Sequence, residues 1–537
     1  MRKHIFNIIS ISILFFIWIL TSGYFRSHNY LEFSDGAKYA SIAKNYVEGR
    51  GLSNSFSFFY SNLIVDPNSN TFNLSGIEPV YPLVMSLTFR LFGINDNSVI
   101  LTSSIFLFTT SLLIFLIAVQ FNKKFLGLLA GISILLDINF GTYSIGGGME
   151  TFFTTLILFL FWLILKQRMI TDYLAILVSL VMYFTKQQAF IYITGALLLY
   201  LLLNNKYKLA IIKIAIISIG FLIFDALILT KINGKYYLYS ILFQGINVIQ
   251  SVATDPNATS LLRGGAGSKI ELKFVITNIF YNLYNFYKLL PNIGSPYLFA
   301  LFVLGLLCKF KNNRFRLFVH SVLFTILLTI IVTSSSIPLY RYLHPVLPLG
   351  YLLGIIMLGK MVELINKHNC YANLYKLKYL ILLTLVFVFS YGKTLGHLFL
   401  DSRFSSKIYD KNKPPIYVRL ASEVKNKIPN TSIVLTNLDT WGSWYGNKST
   451  VWYPFKPEMI KPEDGQKNIY NAIYLTSYLM DDNNYYMGDE WRQIFYNPEN
   501  IENDFIRENY QLKEIIEIPA EETYEKQAAR AVLLVRK

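Results

Sequence analysis

Five ionisable side chains stand at the edges of long apolar runs, where a charge is costly to keep unless it has work to do: Asp35, Glu78, Glu150, Lys186 and Arg341. A carboxylate in such a place can take the proton of an attacking hydroxyl, and a cation can hold a phosphate and stabilise it as it leaves. Lysine does this as a point charge and arginine as a planar fork. Asp35 opens the helical stretch Ser34-Asp35-Gly36-Ala37-Lys38-Tyr39, where a helix N-cap at Ser34 or Asp35 is the competing reading. Glu150 lies in Gly148-Met149-Glu150-Thr151, Lys186 follows Thr185, and Arg341 begins Arg341-Tyr342-Leu343-His344-Pro345. For the two cations, snorkelling to lipid headgroups is the plainer alternative. No glycine-rich phosphate loop follows a strand, and no His-Glu-x-x-His or Cys/His ligand spacing occurs, so nucleotide hydrolysis and zinc chemistry have no support. Cys308 and Cys370 imply no disulfide framework.

The elements that position these residues must be membrane helices. Of 537 residues 53% are hydrophobic and 15% charged, and the apolar residues come in blocks rather than alternating patterns. Runs at 5–24, 98–120, 125–141, 149–165, 173–185, 188–203, 210–230, 295–308, 316–336, 343–362 and 377–396 predict about eleven spans of a polytopic α-helical protein. The segments joining alternate spans hold Arg2, Lys3, Lys123, Lys124, Lys166, Arg168, Lys206, Lys208 and Lys213, then Lys309, Lys311, Arg314, Arg316, Lys360, Lys367, Lys376 and Lys378. Only Asp172 and Glu363 oppose them. By the positive-inside rule these segments are cytoplasmic, which places the N-terminus inside and the C-terminus outside. The net charge of +16 is therefore a topology signal and not a nucleic-acid footprint. The first span reads as a retained anchor, since no small-residue cleavage site follows it.

Three stretches interrupt the rhythm, and this topology puts all three outside: residues 25–97, 231–294 and 397–537. The first predicts amphipathic helices at the interface around Asp35 to Val47 and Pro79 to Phe92. The second, with Arg263-Gly264-Gly265-Ala266-Gly267, reads as a flap or a plain turn. From 401 to 537 mixed charges and short apolar runs predict a small extracytoplasmic α/β domain, set apart from a membrane region over 1–400. Its helices fall near 416–428 and 490–495, and its strands at 432–436, 472–476, 512–518 and 531–535. Trp441, Trp444, Tyr445, Trp452 and Tyr453 read either as a sugar-stacking surface or as an aromatic core.

Taken in order, Asp35 with Tyr39, Pro79-Val80-Tyr81-Pro82-Leu83, Leu91-Phe92-Gly93, Glu150, Thr185-Lys186 and Arg341-Tyr342-x-x-Pro345 form a pattern. In it the chain resembles the GT-C glycosyltransferases of the protein O-mannosyltransferase and lipid A aminoarabinose transferase type, over roughly residues 5–400. The resemblance implies transfer of a sugar from a polyprenyl-phosphate donor to an acceptor glycolipid, polysaccharide or protein. It further implies that the anomeric configuration inverts and that no covalent enzyme intermediate forms. It implies Asp35 as the base, with Glu78 and Glu150 as further catalytic carboxylates that position the acceptor, bind a divalent metal or pair with cations. Lys186, Arg341 and Tyr342 are then the donor-phosphate ligands, and Tyr39, Tyr81 and His344 the substrate contacts. One departure stands out: many relatives have a basic residue or histidine just before the first proline, where this chain has Glu78. A surface-polysaccharide ligase or polymerase, kept open by Arg263 and Lys269, and a transporter, kept open by the mid-span Asp225, are the alternatives. Richness in Asn, Ile, Lys and Tyr suggests a bacterial plasma membrane.

Overall fold

The computed structural model describes residues 2–25, 29–59, 65, 70–73, 79–186, 188–204, 207–224, 226, 272–306, 310–335, 340–367, 379–388, 410, 412–429, 432–454, 456–462, 468–480 and 487–537. Glu78, Asp225, Arg263, Lys269, Cys308 and Cys370 lie outside them. In chain order the elements used below are α1 (Arg2–Phe25), α2 (Ser34–Val47), β1 (Ser53–Asn54), β2 (Phe56–Phe58), β3 (Phe72–Asn73), α3 (Val80–Phe92) and α4 (Asp96–Gln120). They continue with α5 (Lys124–Leu135), α6 (Ile138–Gly146), α7 (Met149–Lys166), α8 (Met169–Tyr183) and α9 (Ala189–Leu203). The remaining strands are β4 (Ile433–Thr436), β5 (Ser449–Trp452), β6 (Ala472–Thr476), β7 (Tyr510–Ile518) and β8 (Ala529–Arg536). The chain divides into two compact units, one of Met1–Arg26, Leu101–Ile249 and Glu271–Asp401, the other of Ser27–Ile100, Gln250–Ile270 and Ser402–Lys537.

The first unit is helical and integral to a membrane. Among the described residues five helices are long and apolar enough to cross one: Ile5–Gly23, Asp96–Gln120, Met149–Lys166, Asn313–Ser335 and Tyr340–Glu363. The pair α5 and α6 adds a sixth if its 57° bend falls within one span. The expected eleven are thus not all long helices. Those near 173–185, 188–203 and 295–308 are shorter apolar helices, Met169–Tyr183, Ala189–Leu203 and Pro296–Leu306, and parts of 210–230 and 377–396 fall outside the described residues. Large apolar side chains face outward along α1 (Ile8, Phe16, Leu20) and α8 (Met169, Ile170, Leu177), as hydrocarbon-facing surfaces do and water-facing ones rarely do.

Small and hydroxyl residues set the helix contacts. Gly195 of α9 lies so close to helix Asn313–Ser335 that a Cβ there would fall 1.9 Å from Thr325 Oγ1, and Ser321 Oγ donates to the Gly195 carbonyl at 2.6 Å. In lipid, where apolar burial gives helices little reason to associate, such close packing and interhelical hydrogen bonds supply the attraction. The break between α5 and α6 has a visible cause. Asp137 caps α6 by accepting from Asn139 N at 2.9 Å and Phe140 N at 3.3 Å, and its other oxygen accepts from Tyr351 Oη at 2.8 Å.

The second unit joins β2, from the stretch after α1, to the C-terminal residues in one six-stranded sheet, ordered β2-β5-β4-β6-β8-β7. The first four strands run parallel; β8 pairs antiparallel with β6, and β7 pairs antiparallel with β8 at the far edge. Both faces are covered, so central strands read as unbroken apolar runs. Ile433 and Leu435 point into a core with Trp491, Ile494 and Phe495, whereas Val434 points into another with Leu420 and Val424. Helices Asp489–Tyr496 and Ile416–Lys427 provide these covers. The four expected strands and two expected helices are present; β5, and β2 from the first stretch, were not foreseen. The aromatic cluster is a core feature. Trp441, Trp452 and Tyr453 are buried, Trp441 stacks on Tyr417 at 4.3 Å, and Trp444 and Tyr445 donate to the two oxygens of Asp96 at 2.7 and 2.9 Å.

Candidate active site

In the first unit three chain interruptions converge. The first is Gly147-Gly148 between α6 and α7, where Gly147 takes φ +75° and closes α6 in the left-handed conformation that glycine adopts without strain. Gly148 N donates to Tyr143 O at 2.8 Å and hands the chain to α7, with Glu150 in its first turn. The second is Thr185-Lys186, after α8. The third is the 3-10 segment Tyr340–Val346, pinned by Tyr192 Oη donating to the Tyr342 carbonyl at 3.1 Å.

At these breaks Lys186 Nζ meets Glu150 Oε1 at 3.3 Å, with both side chains buried (10% and 4% exposed). The Tyr342 ring takes Lys186 and Arg341 at 5.6 Å each, and Lys186 also lies 5.8 Å from the Phe153 ring. His344, fully buried, shares a 2.6 Å hydrogen bond between its Nδ1 and Tyr143 Oη. Arg341, Glu150 and Asp137 all act electrostatically on Tyr143. Glu150, Lys186, Arg341, Tyr342 and His344, far apart in sequence, thus come together. The sequence reading missed Tyr143, whose only signal was its place one turn before the glycine pair. Glu150 Oε2 is buried and has no hydrogen-bond partner among the described residues. A buried lysine whose carboxylate partner keeps one oxygen unsatisfied is an arrangement that a ligand bearing both a phosphate and hydroxyl groups would complete.

In the second unit Asp35 lies in the first turn of α2, whose N-cap position is Phe33, with extended φ −118° and ψ 120° and no side-chain cap. Neither Ser34 nor Asp35 is therefore the cap. A carboxylate in a first turn is favoured by the helix dipole, and Asp35 is half-buried. Tyr39 and Tyr81, expected at the substrate, instead pack edge-to-face at 5.4 Å in the interior between α2 and α3, 4% and 0% exposed. Their hydrophobic area holds the helix that carries Asp35. The described residues contain no group of three or more His, Cys, Asp or Glu placed to hold a metal ion.

Residues 77–233 match the dolichyl-phosphate-mannose-protein mannosyltransferase family. The resemblance read from the ordered motifs to the GT-C glycosyltransferases is thereby borne out. The matched segment includes Glu78, Tyr81, Glu150 and Lys186, and it ends before Arg341. Among solved structures, the oligosaccharyltransferase of Archaeoglobus fulgidus in complex with Zn and sulfate aligns with 88% of this chain and 67% of its own, at 10% identity and a TM-score of 0.54. The oligosaccharyltransferase AglB from the same archaeon, in complex with an inhibitory peptide and a dolichol-phosphate, aligns with 88% of this chain and 69% of its own, at 10% identity and a TM-score of 0.50. These likenesses show a shared fold. ArnT from Cupriavidus metallidurans bound to undecaprenyl phosphate aligns with 98% of this chain and 97% of its own, at 11% identity and a TM-score of 0.45. No curated protein matches the chain by sequence.

Proposed function

We propose that this protein transfers a sugar from a polyprenyl-phosphate-linked donor to an acceptor hydroxyl at the outer face of a bacterial plasma membrane. The observation that carries the reading is the buried Lys186–Glu150 pair, inside a segment of mannosyltransferase-family sequence and at breaks in apolar helices, with Arg341 from beyond that segment against the same Tyr342 ring. A cation held in apolar surroundings by a single carboxylate contact is poised to exchange part of that contact for a phosphate, and Arg341 adds a second positive charge. One neighbour lends support by what it binds, a dolichol-phosphate.

In the reaction the acceptor oxygen forms a bond to the anomeric carbon while the bond from that carbon to the phosphate oxygen breaks. The bonding pair leaves with the polyprenyl phosphate, whose charge Lys186 and Arg341 neutralise, and the acceptor's proton passes to Asp35. Direct displacement inverts the anomeric configuration. Glu150 holds Lys186 in place and offers its second oxygen to a donor hydroxyl. The Tyr342 ring lies beside both cations, His344 holds Tyr143, and Tyr39 and Tyr81 support the helix of Asp35.

The test is transfer of radiolabelled sugar from a panel of polyprenyl-phosphate donors by membranes containing the wild-type protein or Asp35→Asn at matched levels. A loss of about 100-fold or more on Asp35→Asn is expected of a removed general base. Transfer unchanged by Asp35→Asn, or a product that keeps the donor's configuration by NMR, contradicts the assignment.

A further inference from the structure

Directly after β4 the chain turns through Asn437-Leu438-Asp439-Thr440 and lies against the start of α2, within the same unit. Thr440 Oγ1 donates to the Ser34 carbonyl. Ser41 and Ser443 face each other at 3.4 Å, and Leu31 is held from both sides by Tyr445 Oη and Tyr417 Oη, at 2.8 and 2.7 Å. Asp439 sits at this junction, 7% exposed, with φ +54° and one oxygen accepting from Thr440 N at 2.8 Å. The Ser34 hydroxyl also bonds its carboxylate, and the charged groups that act on it, Asp35 and Lys38, both come from α2.

The place in the sheet is telling. From β4 the chain goes to β5 on one side and, from there, to β6 on the other. The carboxyl end of β4 is therefore a point where strand order reverses, the position at which open α/β sheets carry ligand-facing groups.

We propose that Asp439 is a positioning residue for Asp35: a carboxylate at the carboxyl end of β4 that sets the orientation and basicity of the proposed base, so that the C-terminal segment takes part in activating the acceptor. The inference rests on the transferase reading and on Asp35 as its base. A second negative charge facing Asp35 makes its carboxylate hold a proton more strongly, and Lys38 limits the repulsion enough for both groups to coexist. Burial, and then Asp35, push the Asp439 carboxyl up to about 6, even though Thr440 N and Ser34 hydrogen-bond its charged form.

The experiment is the pH profile of sugar transfer from a polyprenyl-phosphate mannose donor, between pH 5 and 8, for wild type, Asp439→Asn, Ser34→Ala and Asp35→Asn. Asparagine tolerates positive φ and can still accept from Thr440 N, so Asp439→Asn keeps the turn. Wild-type activity is expected to rise with pH as the base loses its proton. In Asp439→Asn that rise moves to lower pH and the plateau falls roughly ten-fold, as a weaker base requires. Ser34→Ala shifts the rise in the same direction by less, and carries the test if Asp439→Asn does not fold. A profile that keeps its wild-type position in both variants, whatever uniform loss of rate accompanies it, overturns the inference. Full activity in Asp35→Asn overturns the base reading instead, so the two failures are distinguishable.

Discussion

At the scale of single residues the account turns on charges held where they are expensive. Lys186 and Glu150 are each buried and are each other's partner at 3.3 Å. Removing one side of such a pair strands the other and costs about 3–5 kcal/mol, whereas removing both is often close to neutral. Lys186→Met is therefore expected to lower the thermal stability of the purified protein strongly, and Lys186→Met with Glu150→Gln to restore most of it while leaving transfer abolished. If the double variant recovers activity along with stability, the lysine serves only the fold. Asp439 gives a prediction of the opposite sign. Its folded pKa, about 6, lies above its ordinary 3.8. The folded state therefore keeps a proton that the unfolded chain has lost, and stability from this group declines as pH rises between about 4 and 6. At neutral pH the cost is on the order of 3 kcal/mol. Asp439→Asn should then be the more stable protein at pH 7.5 and no more stable than wild type at pH 4.5, as thermal unfolding in detergent would show. A variant less stable at both pH values would make Asp439 a purely structural residue.

At the scale of elements, much of the pattern was legible in the sequence, because apolar periodicity and glycine placement act locally. The helix around Asp35, the helix ending at Gly93 and the strands at 433–436, 472–476, 510–518 and 529–536 follow from runs that need no distant partner to be recognised. Two strands did not show. Phe56–Phe58 is three residues long and Ser449–Trp452 is embedded in aromatic and polar sequence, so each is a strand only because a parallel neighbour supplies its hydrogen bonds. The break at Asp137 was missed for a similar reason: it is fixed by Tyr351, more than two hundred residues away. Close helix contacts are a further feature that sequence alone does not reveal. Gly195→Ala would place its methyl against Thr325 and is expected to cost about 1–3 kcal/mol as overpacking. Shortening the opposing residue in Gly195→Ala with Thr325→Ala should recover part of that loss. An additive effect of the two substitutions would mean that α9 and its partner helix do not meet there.

At the scale of the whole molecule, the sequence reading drew its boundary along the chain, near residue 400, and compact packing draws it across the chain. Residues 27–100 and 402–537 belong to one unit because β2 completes the edge of the sheet beside β5. Nothing local in Phe56–Phe58 announces a partner four hundred residues on. The candidate site was legible to a different degree in each unit. The types of Glu150, Lys186 and Arg341 could be singled out from their positions at span ends, but their convergence depends on three separate interruptions of the helices. The support given by Tyr143 and the neighbour of Asp35 at Asp439 are tertiary facts. What joins these scales is the claim that buried Lys186 and half-buried Arg341 exist to receive a lipid phosphate. The most direct measurement is the stoichiometry of a single reaction with purified wild-type protein and Lys186→Met: sugar transferred from a polyprenyl-phosphate mannose donor against free polyprenyl phosphate released. The account predicts one phosphate lipid released for each sugar transferred by the wild type, and neither by Lys186→Met. Equal transfer by the two proteins, or release of polyprenyl phosphate without sugar transfer, would contradict it.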